Sequence, residues 1–238
     1  RFHLMNANPN LIKFYGSKDF KPPKDKPILL PLCGKTIDLQ WLMTTAGHSC
    51  VVGVEGIQQA IEELKNELLY NLRCISSSSS SESRHTIWTT APEGQRWFHS
   101  SSNASSDTMG SIIQEKDAAT AISIVYADFF EISPKTFGGT CCFGAVYDRG
   151  AIVAVPPHSR HQYVDIIDSL LIPGGQILMV TVDSKRDSNG PPYPVTPSVV
   201  EELFAATRNY SIQLLDEHDG TFGEGSTEYV FVLTKPIS

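Results

Sequence analysis

ILLPLCGKTIDLQWLMTTAGHSCVVGVE, from Ile28 to Glu55, is the stretch from which the fold can be read. Ile28, Leu29 and Leu30 are consecutive apolar residues, too few for a helix and suited to a strand covered on both faces. Pro31 ends that run, and Gly34 stands where the backbone must turn tightly or approach a ligand closely. Thr36 and Asp38 carry the side chains of helix caps, and Leu39, Leu42 and Met43 then recur at helical spacing. Gly47 ends the helix, and Cys50 to Val54 reads as a second buried strand closing on Glu55. A strand, a helix and a strand joined this tightly make parallel neighbours with a right-handed crossover.

Open sheets of this kind bind ligands beyond the carboxyl ends of their strands, where the Gly34 turn and Glu55 both belong. Their separation is close to the roughly 20 residues that put an acid on a ribose hydroxyl in nucleotide-binding units. The turn reads Leu32-Cys33-Gly34-Lys35 rather than G-x-G-x-x-G, so close backbone approach to a pyrophosphate is disfavoured. That counts against an NAD-dependent oxidoreductase and for an adenosine ligand with no phosphate bridge, S-adenosylmethionine. Taken without a ligand, the same residues are a structural turn and a solvated acid.

Four segments in register carry a resemblance: PLCGK (31–35), GHSCVVGVEGIQQAI (47–61), YDRGAIVAV (147–155) and GPPYPV (190–195). Together, over roughly Phe2 to Lys235, the chain resembles the thiopurine S-methyltransferase family. The resemblance implies an α/β three-layer sandwich on a seven-stranded, mostly parallel sheet, the Rossmann-like class I methyltransferase fold. It implies S-adenosylmethionine as cofactor and S-adenosylhomocysteine as product. Leu32, Cys33, Gly34, Glu55, Asp128, Phe129 and Arg149 are the implied cofactor-binding residues. Phe2, Arg149, Pro191, Pro192 and Tyr193 fall on the acceptor side. In the family an N-terminal segment ending at Phe2 folds over the cofactor; most of it does not precede Arg1 here, which leads us to expect an incomplete or processed terminus. Judged by position alone, Phe2 is a frayed end.

Composition bounds the rest. A chain of 238 residues with 41% hydrophobic content is the size of one domain with a substantial core. The net charge of −7 and the lack of a basic run argue against a nucleic-acid partner. No apolar stretch approaches the ~20 residues of a membrane span, and no secretory signal pattern opens the chain. The 5 cysteines lack the spacing of a disulfide framework, and no His or Cys cluster has metal-ligand spacing. These features lead us to expect a cytoplasmic monomer with reduced thiols and no metal.

Helical spacing of Ile61, Leu64, Leu68 and Leu72 predicts a helix over Gln58–Arg73. The serine tract that begins at Ser76 predicts a mobile insertion over about 76–111, either a lid or a segment pinned outside the sheet. Trp88, Trp97 and Phe98 suggest that part of it docks. Ser111–Gln114 and Ala121–Tyr126 read as a hairpin whose second arm is the third strand of the sheet, ending at Asp128-Phe129. Thr140–Asp148 is the fourth strand and Gln176–Val182 the fifth, with an amphipathic helix from Arg160 between them. Ser198 is placed to cap a further helix, and Tyr210–Leu215 and Tyr229–Thr234 read as closing antiparallel strands.

Asp148-Arg149-Gly150, at the carboxyl end of a central strand, is the sharpest catalytic candidate. Arg149 could hold an electron-rich acceptor, the cofactor carboxylate, or an ion pair with Asp148. Asp148 could accept a proton or cap the following helix. Methyl transfer from a sulfonium is an in-line displacement in which the protein mainly orients groups and excludes water. An aromatic thiol ionises easily, so the lack of a Cys-His or Ser-His constellation fits. The loop EHDGTFGEGST before the last strand is short and acidic, and family members acting on thiopurines carry a longer one with a basic residue. The acceptor is therefore open between a thiopurine and another thiol, selenol or soft nucleophile. A protein of this fold that binds the cofactor with little turnover remains the alternative.

Overall fold

The computed structural model describes residues 6–67, 73–80, 83–90, 121–139, 142–184, 190–220 and 225–237. Among them one sheet contains β1 (Ile28–Leu30), β2 (Cys50–Glu55), β3 (Arg73–Ser80), β4 (Ser83–Thr89), β5 (Ala121–Tyr126), β6 (Phe143–Arg149), β7 (Leu171–Asp183), β8 (Ser211–Asp219) and β9 (Thr227–Thr234). Their order is β3-β4-β5-β2-β1-β6-β7-β9-β8. From β5 through β2, β1 and β6 to β7 every pairing is parallel. β9 then runs antiparallel to both β7 and β8. The stretch from β5 to β8 is the expected seven-stranded sheet, and β3 and β4 extend it antiparallel beyond β5.

Alternation along the strands divides the core between two faces. Leu29, Val52 and Val146 pack with Tyr163, Ile167 and Leu170 of α4 (Arg160–Leu170) and with Leu203 and Phe204. On the other face Ile28, Leu30, Val51 and Ala145 meet Leu11 of α1 (Pro9–Phe14), Leu39 and Leu42 of α2 (Asp38–Thr44), and Ile61 and Leu64 of α3 (Gln58–Glu67). The result is the expected three-layer sandwich, covered on both sides as a parallel sheet requires.

Several local expectations are corrected. Where it is described the serine tract is strand and not loop: Ser76–Ser80 lies in β3, paired with β4 at the edge of the sheet in a register that matches Ser77 with Thr86. Strand pairing satisfies backbone donors and acceptors whatever the side chain, and polar residues suit an outermost strand. The helix expected to reach Arg73 is described only to Glu67, and Arg73 opens β3. Residues 91–120, including Trp97, Phe98 and the arm Ser111–Gln114, lie outside the described residues, as does Phe2. β7 begins at Leu171, ahead of the Pro173-Gly174-Gly175 turn. Thr196, not Ser198, is the N-cap residue of the helix that starts at Pro197.

Two sites make the packing testable. The connector before β1 crosses β6 at Gly144, whose N–H donates to Pro27 O at 2.9 Å. A Cβ there would stand 2.7 Å from both Lys26 Cβ and Pro23 Cγ. Gly144→Ala is expected to cost about 1–3 kcal/mol by overpacking, read as a lower urea midpoint at unchanged slope.

His48 is fully buried; its Nε2 meets Lys26 O at 2.6 Å and its Nδ1 meets the Tyr15 hydroxyl at 2.8 Å. A carbonyl only accepts, so Nε2 carries the proton and Nδ1 accepts from the tyrosine. Burial lowers the pKa from 6.5 to about 4. The unfolded chain then binds more protons than the folded one between those values, and stability falls as pH drops through that window. Burial of Asp148, which raises its pKa to about 6, acts with the opposite sign. Comparison with a variant isolates the histidine. Between pH 7 and pH 4, wild type should lose roughly 3 kcal/mol more stability than His48→Gln; equal losses in denaturant titrations would refute this.

Candidate active site

Because β5, β2, β1 and β6 are parallel, their carboxyl ends share one edge of the sheet. A cavity of about 510 Å³ opens there. Leu32, Cys33 and Gly34 from the turn after β1, Glu55 from β2, Asp128 and Phe129 after β5, and Arg149 from β6 all line it, and Pro191 closes one side. Residues chosen from four separate strand tips thus meet at one place.

Glu55 is the tie between two loops. Only 5% exposed, it accepts the Gly34 N–H on Oε2 at 2.7 Å and the Ile57 N–H on Oε1 at 2.8 Å. Cys33 N–H reinforces the link by donating to Val54 O at 3.0 Å. The turn itself is bent sharply. Leu32 has φ 45° and Gly34 φ 55°. A left-handed leucine costs roughly 1–2 kcal/mol, and such strain is typical of ligand-facing backbone. Burial, and then the charge of Glu55, push the Cys33 thiol pKa well up, so Cys33 faces the cavity as a thiol and not as a nucleophile.

Asp128 is the N-cap of a 3-10 turn, Phe129–Glu131, its Oδ1 accepting from Phe130 N at 2.9 Å. Its side chain stays exposed at the cavity wall while Phe129 is buried, with its ring 5.0 Å from that of Tyr163. Tyr163 in turn donates to Asp148 Oδ2 at 2.8 Å. The other Asp148 oxygen accepts from the Ala151 and Ile152 N–H groups at 3.2 and 3.1 Å. Of the two roles expected for Asp148, the geometry supports the cap. Its carboxylate is spent on the turn after β6 and on α4, and it does not line the cavity. What it accomplishes is to fix Arg149 and Gly150, the latter at φ 88°.

The acceptor-side loop divides. Pro191 lines the cavity, whereas Pro192 and Tyr193 stand outside its wall. Tyr193 N–H donates to Val153 O at 2.7 Å and so pins the loop to the segment that follows Arg149.

Thr36, Asp38 and Tyr147 are polar cavity residues that were not anticipated as site residues. Asp38, 3% exposed, does not cap its helix. Its Oδ1 accepts the Asn8 N–H at 2.7 Å, and Thr36 Oγ1 accepts the Asp38 N–H at 3.2 Å. Burial raises the Asp38 pKa, against the pull of the Asn8 N–H and Arg149. Tyr147, 2% exposed, lies beside it, and burial drives its own pKa well up. The available signal for Asp38 was an acid one helical turn before Leu42, on the apolar face. Nothing marked Tyr147 out from its strand neighbours.

A family model described as thiopurine S-methyltransferase matches residues 1–91 and 95–229. The thiopurine S-methyltransferase of Vibrio vulnificus is 31% identical over 221 residues, 91% of this chain and 82% of that protein. The enzyme of the same name from Pseudomonas fluorescens is 28% identical over 92% of this chain and 81% of its own length. Among solved structures, a SAM-dependent methyltransferase from Methanosarcina mazei superposes with a TM-score of 0.57 at 11% identity, over 98% of this chain and all of that one. A Haemonchus contortus N-methyltransferase, solved with S-adenosylhomocysteine, gives 0.57 at 11% identity, over 95% of this chain and 52% of its own. The structural likenesses establish the class I methyltransferase fold; with the family match spanning nearly the whole sequence, this chain belongs to the thiopurine S-methyltransferase family.

Proposed function

We propose that this family member is an S-adenosylmethionine-dependent S-methyltransferase acting on a small thiol, thiopurine-like or another soft nucleophile, as a single cytoplasmic domain and a monomer. The observation that carries this reading is Glu55. One buried carboxylate organises the turn after β1 and the loop after β2 and still faces the cavity that Arg149 enters from β6. Among the described residues no helix is long and apolar enough to cross a membrane.

The residues fit the cofactor. Glu55 has lone pairs left for ribose hydroxyls, and Leu32 to Gly34 bring backbone to the cavity wall. Ile57 and Phe129 offer apolar surface at the end where a base would lie. When bound, S-adenosylmethionine supplies an electrophilic methyl group and a neutral thioether as leaving group. The protein's share is positioning. Arg149 attracts and orients an anionic sulfur, Pro191 bounds the acceptor's space, and Asp148 holds the Arg149 turn from behind. A thiolate needs no strong base, so the engagement of Asp148 elsewhere leaves the chemistry intact. Removal of opposite charges in a low-dielectric cavity favours transfer.

Calorimetry with S-adenosylmethionine, followed by a transfer assay on a panel of thiopurines, aryl thiols and selenols, tests the proposal. Binding with turnover of at least one soft nucleophile is expected. Binding without turnover on any of them would reduce the chain to a cofactor-binding protein, and no binding would remove both readings.

A further inference from the structure

The cavity extends past the nucleoside end. Glu55 closes β2, and β6 lies two strands away across β1, roughly 10 Å at the usual strand spacing. On that far side the wall changes character, with Asp38 and Tyr147 both facing the cavity beneath the start of α2. Neither belongs to the machinery assigned above.

Tyr147 is the sharper observation. Its hydroxyl is buried with the Asp38 carboxylate at its side and no well-formed hydrogen bond to any described residue. A buried hydroxyl left unmatched is costly, and native structures reserve such groups for a ligand or a water. Asp38 is buried beside it, with Arg149 as charged company. The Asn8 N–H occupies one Asp38 oxygen, and a carboxylate has capacity for about three further bonds. An acid and a phenol oxygen on one wall make a site for a cationic donor. An anionic acceptor sulfur would be repelled by the carboxylate, so this wall does not suit the acceptor.

Resting on the methyltransferase reading, we infer that Asp38 and Tyr147 are the subsite for the α-ammonium of the cofactor's amino-acid end. Glu55 fixes the ribose, these two fix the opposite end, and the sulfonium between them is held with its methyl toward the Pro191 side, with Arg149 at the tip of β6 in reach of both. Tyr147 accepts one ammonium N–H, or donates to the neighbouring carboxylate, while Asp38 neutralises the charge.

Two ligands separate this subsite from the rest of the cavity. S-adenosylhomocysteine carries the amino-acid end; 5′-methylthioadenosine keeps the nucleoside and thioether but lacks it. Calorimetry on wild type, Asp38→Asn and Tyr147→Phe should show S-adenosylhomocysteine weakened about 10- to 100-fold by the first variant and roughly fivefold by the second. Affinity for 5′-methylthioadenosine should stay within about twofold in both. Asn retains an oxygen for the Asn8 N–H, and Phe keeps the ring volume, so 5′-methylthioadenosine binding doubles as the folding control. Equal weakening of both ligands would make the pair scaffold, and no change in either would remove it from the site; each result overturns the inference. If wild type binds neither ligand, the methyltransferase reading fails first.

Discussion

Glu55→Ala should weaken S-adenosylmethionine binding by about 100-fold. A hydrogen bond to a charged group is worth about 1.5–3 kcal/mol, and roughly 100-fold corresponds to the upper part of that range. The upper part is appropriate because the carboxylate does more than face the ligand. It accepts from both Gly34 and Ile57, so its loss leaves two N–H groups without their acceptor and frees two loops that wall the same cavity. Glu55→Gln should recover little. One amide oxygen can still accept, but the NH₂ group must then face an N–H donor, because both carboxylate oxygens accept backbone donors in the native geometry. Calorimetric affinity, with a denaturation curve to confirm the fold, checks both variants. Unchanged affinity in the alanine variant would take Glu55 out of the site.

The prominence of Glu55 was legible in the sequence because its signal is local. An apolar run ends at an acid, at a fixed distance from the Gly34 turn, and β1 and β2 fall where the apolar runs predict them. Asp38 shows the opposite situation. A carboxylate at a helix start looks like a cap, and its partner, the Asn8 N–H, is 30 residues away. Only the fold brings them together, and only burial turns a capping residue into a cavity wall. Asp148 was ambiguous for a related reason: its decisive partner, Tyr163, sits on the next helix. The left-handed Leu32 left no trace because sequence patterns flag glycine for such turns. The serine tract misled because strand pairing at a sheet edge depends on backbone groups, to which side-chain composition is nearly blind.

Arg149→Met should lower kcat/KM for a thiol acceptor by about 100-fold, and Arg149→Lys should restore only part of the loss, since a point charge does not reproduce the planar fork of a guanidinium. The prediction that distinguishes its role concerns pH. Arg149 stands at the tip of β6, half-buried at the cavity wall that Pro191 also lines, whereas Asp38 is buried. If the guanidinium meets the acceptor sulfur, it favours the thiolate and lowers the thiol's pKa in the complex, because an opposite charge within a few ångströms shifts a pKa by about 1–3 units. Without it the thiol ionises later, and the acid limb of kcat should move to higher pH by at least about one unit, since kcat reports groups in the bound complex. An acceptor whose thiol is half ionised near neutrality gives the clearest reading, because both limbs then fall where the enzyme is stable. Calorimetric affinity for S-adenosylhomocysteine should change much less than kcat/KM does. A fixed acid limb together with a large loss of S-adenosylhomocysteine affinity would instead place Arg149 on the cofactor's carboxylate, and the acceptor would then have to be oriented by the Pro191 side of the cavity alone.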